Sequence, residues 1–124
     1  MDSQNDLLSK IERFAELKKP YKPEAYGFVL EALDHTMGKL KEPRHISGKE
    51  LLEGIRDYAL KQYGPMANTV FDHWGVKTTL DFGKIVFDLV SVGLLKKQDE
   101  DLLDDFKNVY DFSKTFDRKF EFFD

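Results

Sequence analysis

Cysteine is absent from the 124 residues of this chain, which excludes disulfides, thiolate metal sites and cysteine nucleophiles. Long apolar runs are also missing. The run Ile85–Phe87 already ends at Asp88, far short of the roughly 20 residues that a membrane-spanning helix needs. The first ten residues are polar and lack the basic and apolar regions of a signal peptide. These absences predict a cytoplasmic protein that does not enter a membrane.

The overall composition is that of an ordinary soluble globular protein. Hydrophobic residues make up 41% of the chain and charged residues 34%, with a net charge of −4. The negative charge is concentrated at one end, because residues 98–124 contain nine acidic and four basic side chains. A chain of this length buries one core without disulfides, so we predict a single domain over residues 1–124.

Apolar periodicity and capping residues predict a mainly α fold of five to six helices. Ser47 with Glu50 forms a capping box, in which each side chain accepts from the other residue's backbone N–H, and Thr78 with Asp81 repeats the pattern. The predicted helices are Asn5–Lys18, Pro23–Leu40, Ser47 to Gly64, Gly64 to Gly75, Thr79–Val92 and Ser113–Phe122.

The three central helices, between Ser47 and Val92, predict a helix-turn-helix-like core. Leu94–Lys97 follows this core directly, and the segment Phe106–Phe112 alternates apolar and polar residues. Alternation of this kind is typical of a strand. We therefore expect a short two-stranded wing within residues 94–112.

The triplet Asp81-Phe82-Gly83 has the letters of the magnesium-binding motif of protein kinases. A kinase also needs a glycine-rich loop, a strand lysine and a catalytic loop, and the chain contains none of these sequences. An acidic residue in the first turn of a helix is favoured by the helix dipole. We therefore interpret Asp81 as a helix-start residue.

The histidines and the acidic cluster do not predict a metal site. No two of His35, His45 and His73 have the i, i+4 spacing that places two ligands on one helical face. The acidic residues between 99 and 105 lack the pattern of a calcium loop, and a solvated acidic loop is the favoured interpretation. We predict no catalytic residue, no cofactor and no metal, and hence no enzymatic activity.

Three glycines, Gly27, Gly54 and Gly83, lie inside predicted helices. Each costs about 1 kcal/mol relative to alanine in a helix interior, so their presence calls for a reason. Close packing of two helices is the favoured interpretation. Docking of a partner over bare backbone is the alternative.

Aromatic residues are concentrated between residues 106 and 124. Most of them are expected to cover the helical core. Those that one chain cannot bury would form a surface for a partner or for a homo-oligomer. The candidates for this surface are Phe116, Phe120, Phe122 and Phe123.

The ordered blocks of the chain resemble a family of small bacterial proteins, described as conserved and hypothetical, from planctomycete and verrucomicrobial genomes. The resemblance covers most of residues 21–116 and implies no activity, cofactor or catalytic residue. It is carried by residues 23–26, 28–29, 31–33, 45–56, 63–67, 74–76, 79, 81–87, 89–90, 93–94 and 110–112.

Two functions are compatible with these observations. The favoured one is a protein-interaction or scaffolding module, either with a partner protein or as a homo-oligomer. The alternative is a winged-helix nucleic-acid binder that reads bases with Thr79–Val92. A reading helix presents cations and amides, whereas this one carries Lys84 against Asp81 and Asp88, so nucleic-acid binding is disfavoured.

Overall fold

The computed structural model describes residue 9 and the ranges 21–96 and 103–116. This part of the chain is mainly helical, as predicted. Apart from residue 9, the helix predicted over Asn5–Lys18 lies outside the described residues. The elements are α1 (Pro23–Met37), α2 (Gly48–Tyr63), the 3₁₀ turn η1 (Gly64–Met66), α3 (Ala67–Trp74), α4 (Thr79–Ser91), the 3₁₀ turn η2 (Leu103–Phe106) and α5 (Phe112–Phe116).

Most boundaries of the described helices lie at residues whose local chemistry marks a boundary, but α1 ends at Met37, three residues before the predicted Leu40. At the start of α2 the Glu50 N–H donates to Ser47 Oγ at 3.2 Å, and the Ser47 N–H donates to Glu50 Oε1 at 3.1 Å. At the end of α3, Gly75 adopts the left-handed φ of 87° that glycine tolerates without strain. These interactions satisfy backbone groups that a helix end would otherwise leave unpaired.

The core is built around Phe71, which is fully buried on α3. Its ring centroid lies 5.3 Å from that of Phe28 on α1 and 5.2 Å from that of Phe82 on α4. Phe112 and Phe116 of α5 approach it at 5.6 and 5.2 Å. Because edge-to-face aromatic pairs add to the burial of apolar surface, this cluster joins four of the helices.

The predicted two-stranded wing is wrong for the part of residues 94–112 that the structure describes, where no strand forms. Phe106 is instead buried in the core. Its carbonyl oxygen accepts from Thr79 Oγ1 at 2.5 Å, and the same hydroxyl accepts from the Val109 N–H at 3.2 Å. Thr79 thus supplies the hydrogen bonds that a partner strand would otherwise provide.

Two further findings concern the start of the last helix and the ability of the described helices to cross a membrane. The last helix begins at Phe112, one residue before the predicted Ser113, and the rest of its predicted span lies outside the described residues. None of the described helices combines the length and the apolar character needed to cross a membrane.

Candidate functional site

A groove opens between the C-terminal half of α1, the start of α2 and the outer side of α4. It consists of a cavity of about 260 Å³ and an adjoining one of about 40 Å³. The two cavities share Ile46, Leu51, Val86 and Val90, so we treat them as one surface and call it the α1–α4 groove. The other described residues that line it are Leu33, Met37, Arg44, His45, Ser47, Gly48, Phe87, Leu95, Lys96 and Phe106.

The groove arises because α1 and α4 are apolar over more than one stripe. On α4, Ile85 and Leu89 are buried in the core, whereas Val86 and Val90, one position further round the helix, are only half-buried. On α1, Leu33 and Met37 are half-buried in the same way beside the buried inner face. An apolar face wider than a single core stripe leaves hydrophobic side chains at the surface.

Basic side chains stand at the rim of the larger cavity. Arg44, His45 and Lys96 line it, and none of its described lining residues is acidic. Arg44 is held by Glu50 outside the cavity, with Nη2 donating to Oε2 at 2.7 Å and Nη1 to Oε1 at 3.1 Å. This pairing, together with the Ser47 backbone N–H, lowers the pKa of Glu50 to about 2. Glu50 offsets part of the charge of Arg44, so the rim owes its positive character mainly to Lys96, which is exposed.

A cavity separate from the groove, of about 240 Å³, lies between the start of α4 and the segment before α5. The polar groups around it are already engaged within the fold. The Tyr110 hydroxyl donates to the Leu52 carbonyl at 2.7 Å, and Asp111 Oδ1 accepts from Ser113 Oγ at 2.6 Å. Lys77 Nζ donates to Asp72. These groups stabilise the chain itself, and we therefore regard the α1–α4 groove as the better candidate.

Two tyrosines of the α1 region bind carboxylates of α4. The Tyr21 hydroxyl donates to Asp81 Oδ1, and the Tyr26 hydroxyl donates to Asp88 Oδ2 at 3.0 Å. Burial and the neighbouring carboxylates raise the pKa of both tyrosines above their ordinary value. Asp81 Oδ2 also accepts from the backbone N–H groups of Lys77 and Thr78, at 2.8 and 3.0 Å. These contacts make Asp81 a structural residue of the α4 start.

The three helix-interior glycines occupy different environments. A Cβ at Gly54 would lie 1.8 Å from Thr36 Oγ1, so α1 and α2 approach closely at this point. A Cβ at Gly83 would lie 2.6 Å from Phe106 Cγ, which means that this glycine makes room for the Phe106 ring and not for another helix. A Cβ at Gly27 would meet nothing within 4 Å. Close packing therefore does not account for Gly27.

The predicted aromatic interaction surface needs a correction at Phe116. This residue is fully buried, with its ring centroid 5.2 Å from that of Phe71 and 5.3 Å from that of Phe112. It belongs to the core because α5 turns its apolar side toward α3. Phe120, Phe122 and Phe123 lie outside the described residues.

The histidines lie at three separate kinds of position. His35 packs on Tyr58 with ring centroids 5.1 Å apart, His45 is half-buried at the groove rim, and His73 is exposed in the last turn of α3. Across the described part of the chain, no group of three or more histidine, aspartate or glutamate side chains is arranged to hold a metal ion.

Sequence reasoning missed most of the groove residues. The one available signal was the broad apolar surface of Pro23–Leu40, which indicates contact on two sides but does not identify the second neighbour. Residues far apart in sequence, such as Met37, Arg44 and Val90, meet only in the folded chain.

Comparison of the chain with protein-family models, with curated proteins and with solved structures yields no match. The resemblance to the planctomycete and verrucomicrobial family therefore stays a prediction.

Proposed function

We propose that this protein is a non-enzymatic protein-interaction module of the bacterial cytosol and that the α1–α4 groove is its binding surface. The observation that carries the proposal is the groove itself, a concave surface of half-buried aliphatic side chains with basic residues at one rim. Grooves of this kind take up apolar side chains of a partner, and their charged rims select its orientation.

The apolar floor supplies the free energy for such binding. Leu33, Val86 and Val90 are half-buried, so part of their apolar surface still contacts solvent. Each CH₂ group that a partner shields from water contributes about 0.8 kcal/mol. Several neighbouring aliphatic residues thus contribute more binding free energy than the polar surface around them.

The helix-turn-helix-like relation of α3 and α4 serves protein contact in this proposal. The two helices are joined by the short segment 75–78, and the exposed side of α4 forms one wall of the groove. A nucleic-acid reader would need several cations or amides on α4. Lys84 is its one basic residue, and it shares the helix with Asp81 and Asp88. We therefore rank nucleic-acid binding below protein binding.

The proposal is tested by two variants that each add one negative charge, one in the groove and one, as the control, beside it. Val90→Asp puts a carboxylate in the groove wall, and Ser91→Asp puts one at the adjacent exposed position of α4. Tagged wild-type protein and both variants are used to capture proteins from a bacterial cytosolic extract, and mass spectrometry quantifies the captured proteins. Thermal melts by circular dichroism establish that all three proteins are folded.

We expect a set of proteins that wild type and Ser91→Asp retain and that Val90→Asp retains about tenfold less. If folded Val90→Asp captures the same proteins in the same amounts as wild type, the groove is not the binding surface. Recovery of nucleic acid at moderate salt, unaffected by Val90→Asp, would favour the winged-helix alternative instead.

A further inference from the structure

We infer that the α1–α4 groove binds the segment Phe120–Asp124 of a second copy of this chain, so that the protein associates with itself. The inference rests on the proposed function, since it names the occupant of the proposed binding surface. It pairs an acidic aromatic segment with an aliphatic groove that has a basic rim.

The segment has the composition that such a groove requires. Its five residues are Phe-Glu-Phe-Phe-Asp, with three aromatic side chains, two carboxylates and no cation. Aromatic side chains are the commonest anchors of protein interfaces because they bury a large apolar area with few rotatable bonds. The carboxylates supply the charge that is opposite to the groove rim.

The groove has room for one aromatic side chain of the segment. An apolar cavity of about 150 Å³ is large enough to bind benzene. The larger cavity of the groove, at about 260 Å³, therefore accommodates a phenylalanine ring between Leu33 and Met37 on one side and Val86 and Val90 on the other.

The groove also matches the segment in charge. Lys96 is exposed at the rim, within the same cavity lining as Arg44 and His45. Arg44 is already paired with Glu50, so Lys96 is the cation best placed to meet Glu121 or Asp124 of another copy. An exposed ion pair of this kind adds at most about 1 kcal/mol and acts mainly on specificity.

Exchange between two copies satisfies both features at once. A two-fold arrangement pairs the segment of each chain with the α1–α4 groove of its partner. The helix that precedes the segment, α5, packs against α2, α3 and η1, and of these elements only the start of α2 lines the groove. A contact of the segment with its own groove would leave the chain monomeric, and the experiment below separates the two cases.

The test measures mass by light scattering on the full chain at high micromolar concentration. We expect wild type to have about twice its monomer mass of 14.5 kDa, since the inference pairs two copies. Val90→Asp, which alters the groove, and the triple variant Phe120→Ser, Phe122→Ser, Phe123→Ser, which alters the segment, are each expected to be monomeric.

A mixture of these two variants guards against loss of folding. The triple variant still has an intact groove, and Val90→Asp still has an intact segment. Their equimolar mixture is therefore expected to associate although neither does alone. Misfolded variants would not complement each other in this way.

The charge contribution is tested separately with two lysines. Lys96→Glu is expected to weaken association about threefold to fivefold, the effect of an exposed ion pair. Lys84→Glu, at an exposed position of α4 that does not line the groove, is the matched control and should leave association unchanged.

A wild-type chain that stays monomeric overturns the inference, as does a triple variant that associates as wild type does. Failure of the variant mixture to associate overturns it too. None of these results touches the proposed function, which the capture experiment with wild type, Ser91→Asp and Val90→Asp tests separately.

Discussion

Replacement of Gly54 by alanine tests the close approach of α1 and α2. The new Cβ would lie 1.8 Å from Thr36 Oγ1, 3.0 Å from Thr36 Cβ and 3.2 Å from Thr36 Cγ2. Rotation of the hydroxyl would relieve the first contact but would give up its hydrogen bond to the Ala32 carbonyl, at 2.8 Å. The contact with Thr36 Cβ would remain, because that atom is attached to the backbone. The two helices must therefore separate to accept the methyl group.

The magnitude follows from two opposing effects. Alanine is favoured over glycine in a helix interior by about 1 kcal/mol. Overpacking of a close contact costs about 1–3 kcal/mol, and loss of the Thr36 hydrogen bond adds about 1 kcal/mol. We expect Gly54→Ala to lower the free energy of unfolding by about 1–3 kcal/mol, which corresponds to a decrease in Tm of about 4 °C per kcal/mol.

Gly27→Ala is the matched control, since Gly27 also lies inside a helix but a Cβ there would meet nothing within 4 Å. It should raise the free energy of unfolding by about 0.5–1 kcal/mol. Urea denaturation followed by circular dichroism measures both variants. Gly54→Ala as stable as Gly27→Ala would refute the reasoning, because helix propensity alone would then explain both positions.

Two further predictions concern a buried hydroxyl and an exposed carboxylate. Thr79→Val keeps the shape of the side chain but leaves the Phe106 carbonyl and the Val109 N–H without their partner. Urea denaturation should therefore show that the free energy of unfolding falls by about 1–3 kcal/mol. Unchanged stability would mean that water replaces the hydroxyl. Glu50→Gln should lower Tm at neutral pH, because the folded-state pKa of Glu50 is lowered from 4.5 to about 2. A lowered pKa stabilises the fold above the unfolded value and loses this effect as pH falls through the folded value. The Tm difference from wild type should therefore shrink between pH 4.5 and pH 2, and a difference that is constant over this range would contradict the assignment.

Helix boundaries were predictable because their causes are local. The Ser47–Glu50 capping box, Pro23 in the first turn of α1 and the left-handed Gly75 each act within a few residues. The spacing of apolar residues predicts that Phe82, Ile85, Val86, Leu89 and Val90 of α4 face the core. Phe82, Ile85 and Leu89 are buried, whereas Val86 and Val90 are only half-buried.

The segment after α4 was predicted incorrectly because its structure depends on distant residues. Alternation between Phe106 and Phe112 resembles a strand, but Phe106 inserts beside Gly48 and Gly83, where a Cβ would come within 3.0 and 2.6 Å of its ring. The hydroxyl of Thr79 then binds the backbone around it. The space beside Gly48 and Gly83 admits the Phe106 ring, and the Thr79 hydroxyl binds the backbone around it. Together these interactions outweigh the local preference for extended backbone.

The candidate site was also beyond reach of pattern analysis. Residue type and helical spacing place Phe116 among the candidates for an interaction surface, but burial against Phe71 assigns it to the core. The groove combines residues of α1, α4 and the 44–46 segment, whose proximity no periodicity encodes.

The order of residues alone decided where α1, α2 and α4 start and where α2 and α3 stop, because hydrogen bonds at helix ends and side-chain spacing act over one or two turns. Tertiary packing decided which apolar side chains are covered and which remain at the α1–α4 groove. Burial depends on contacts between residues far apart in the chain, such as those of Phe71 with Phe28 and Phe82, and these exist only once the helices have assembled.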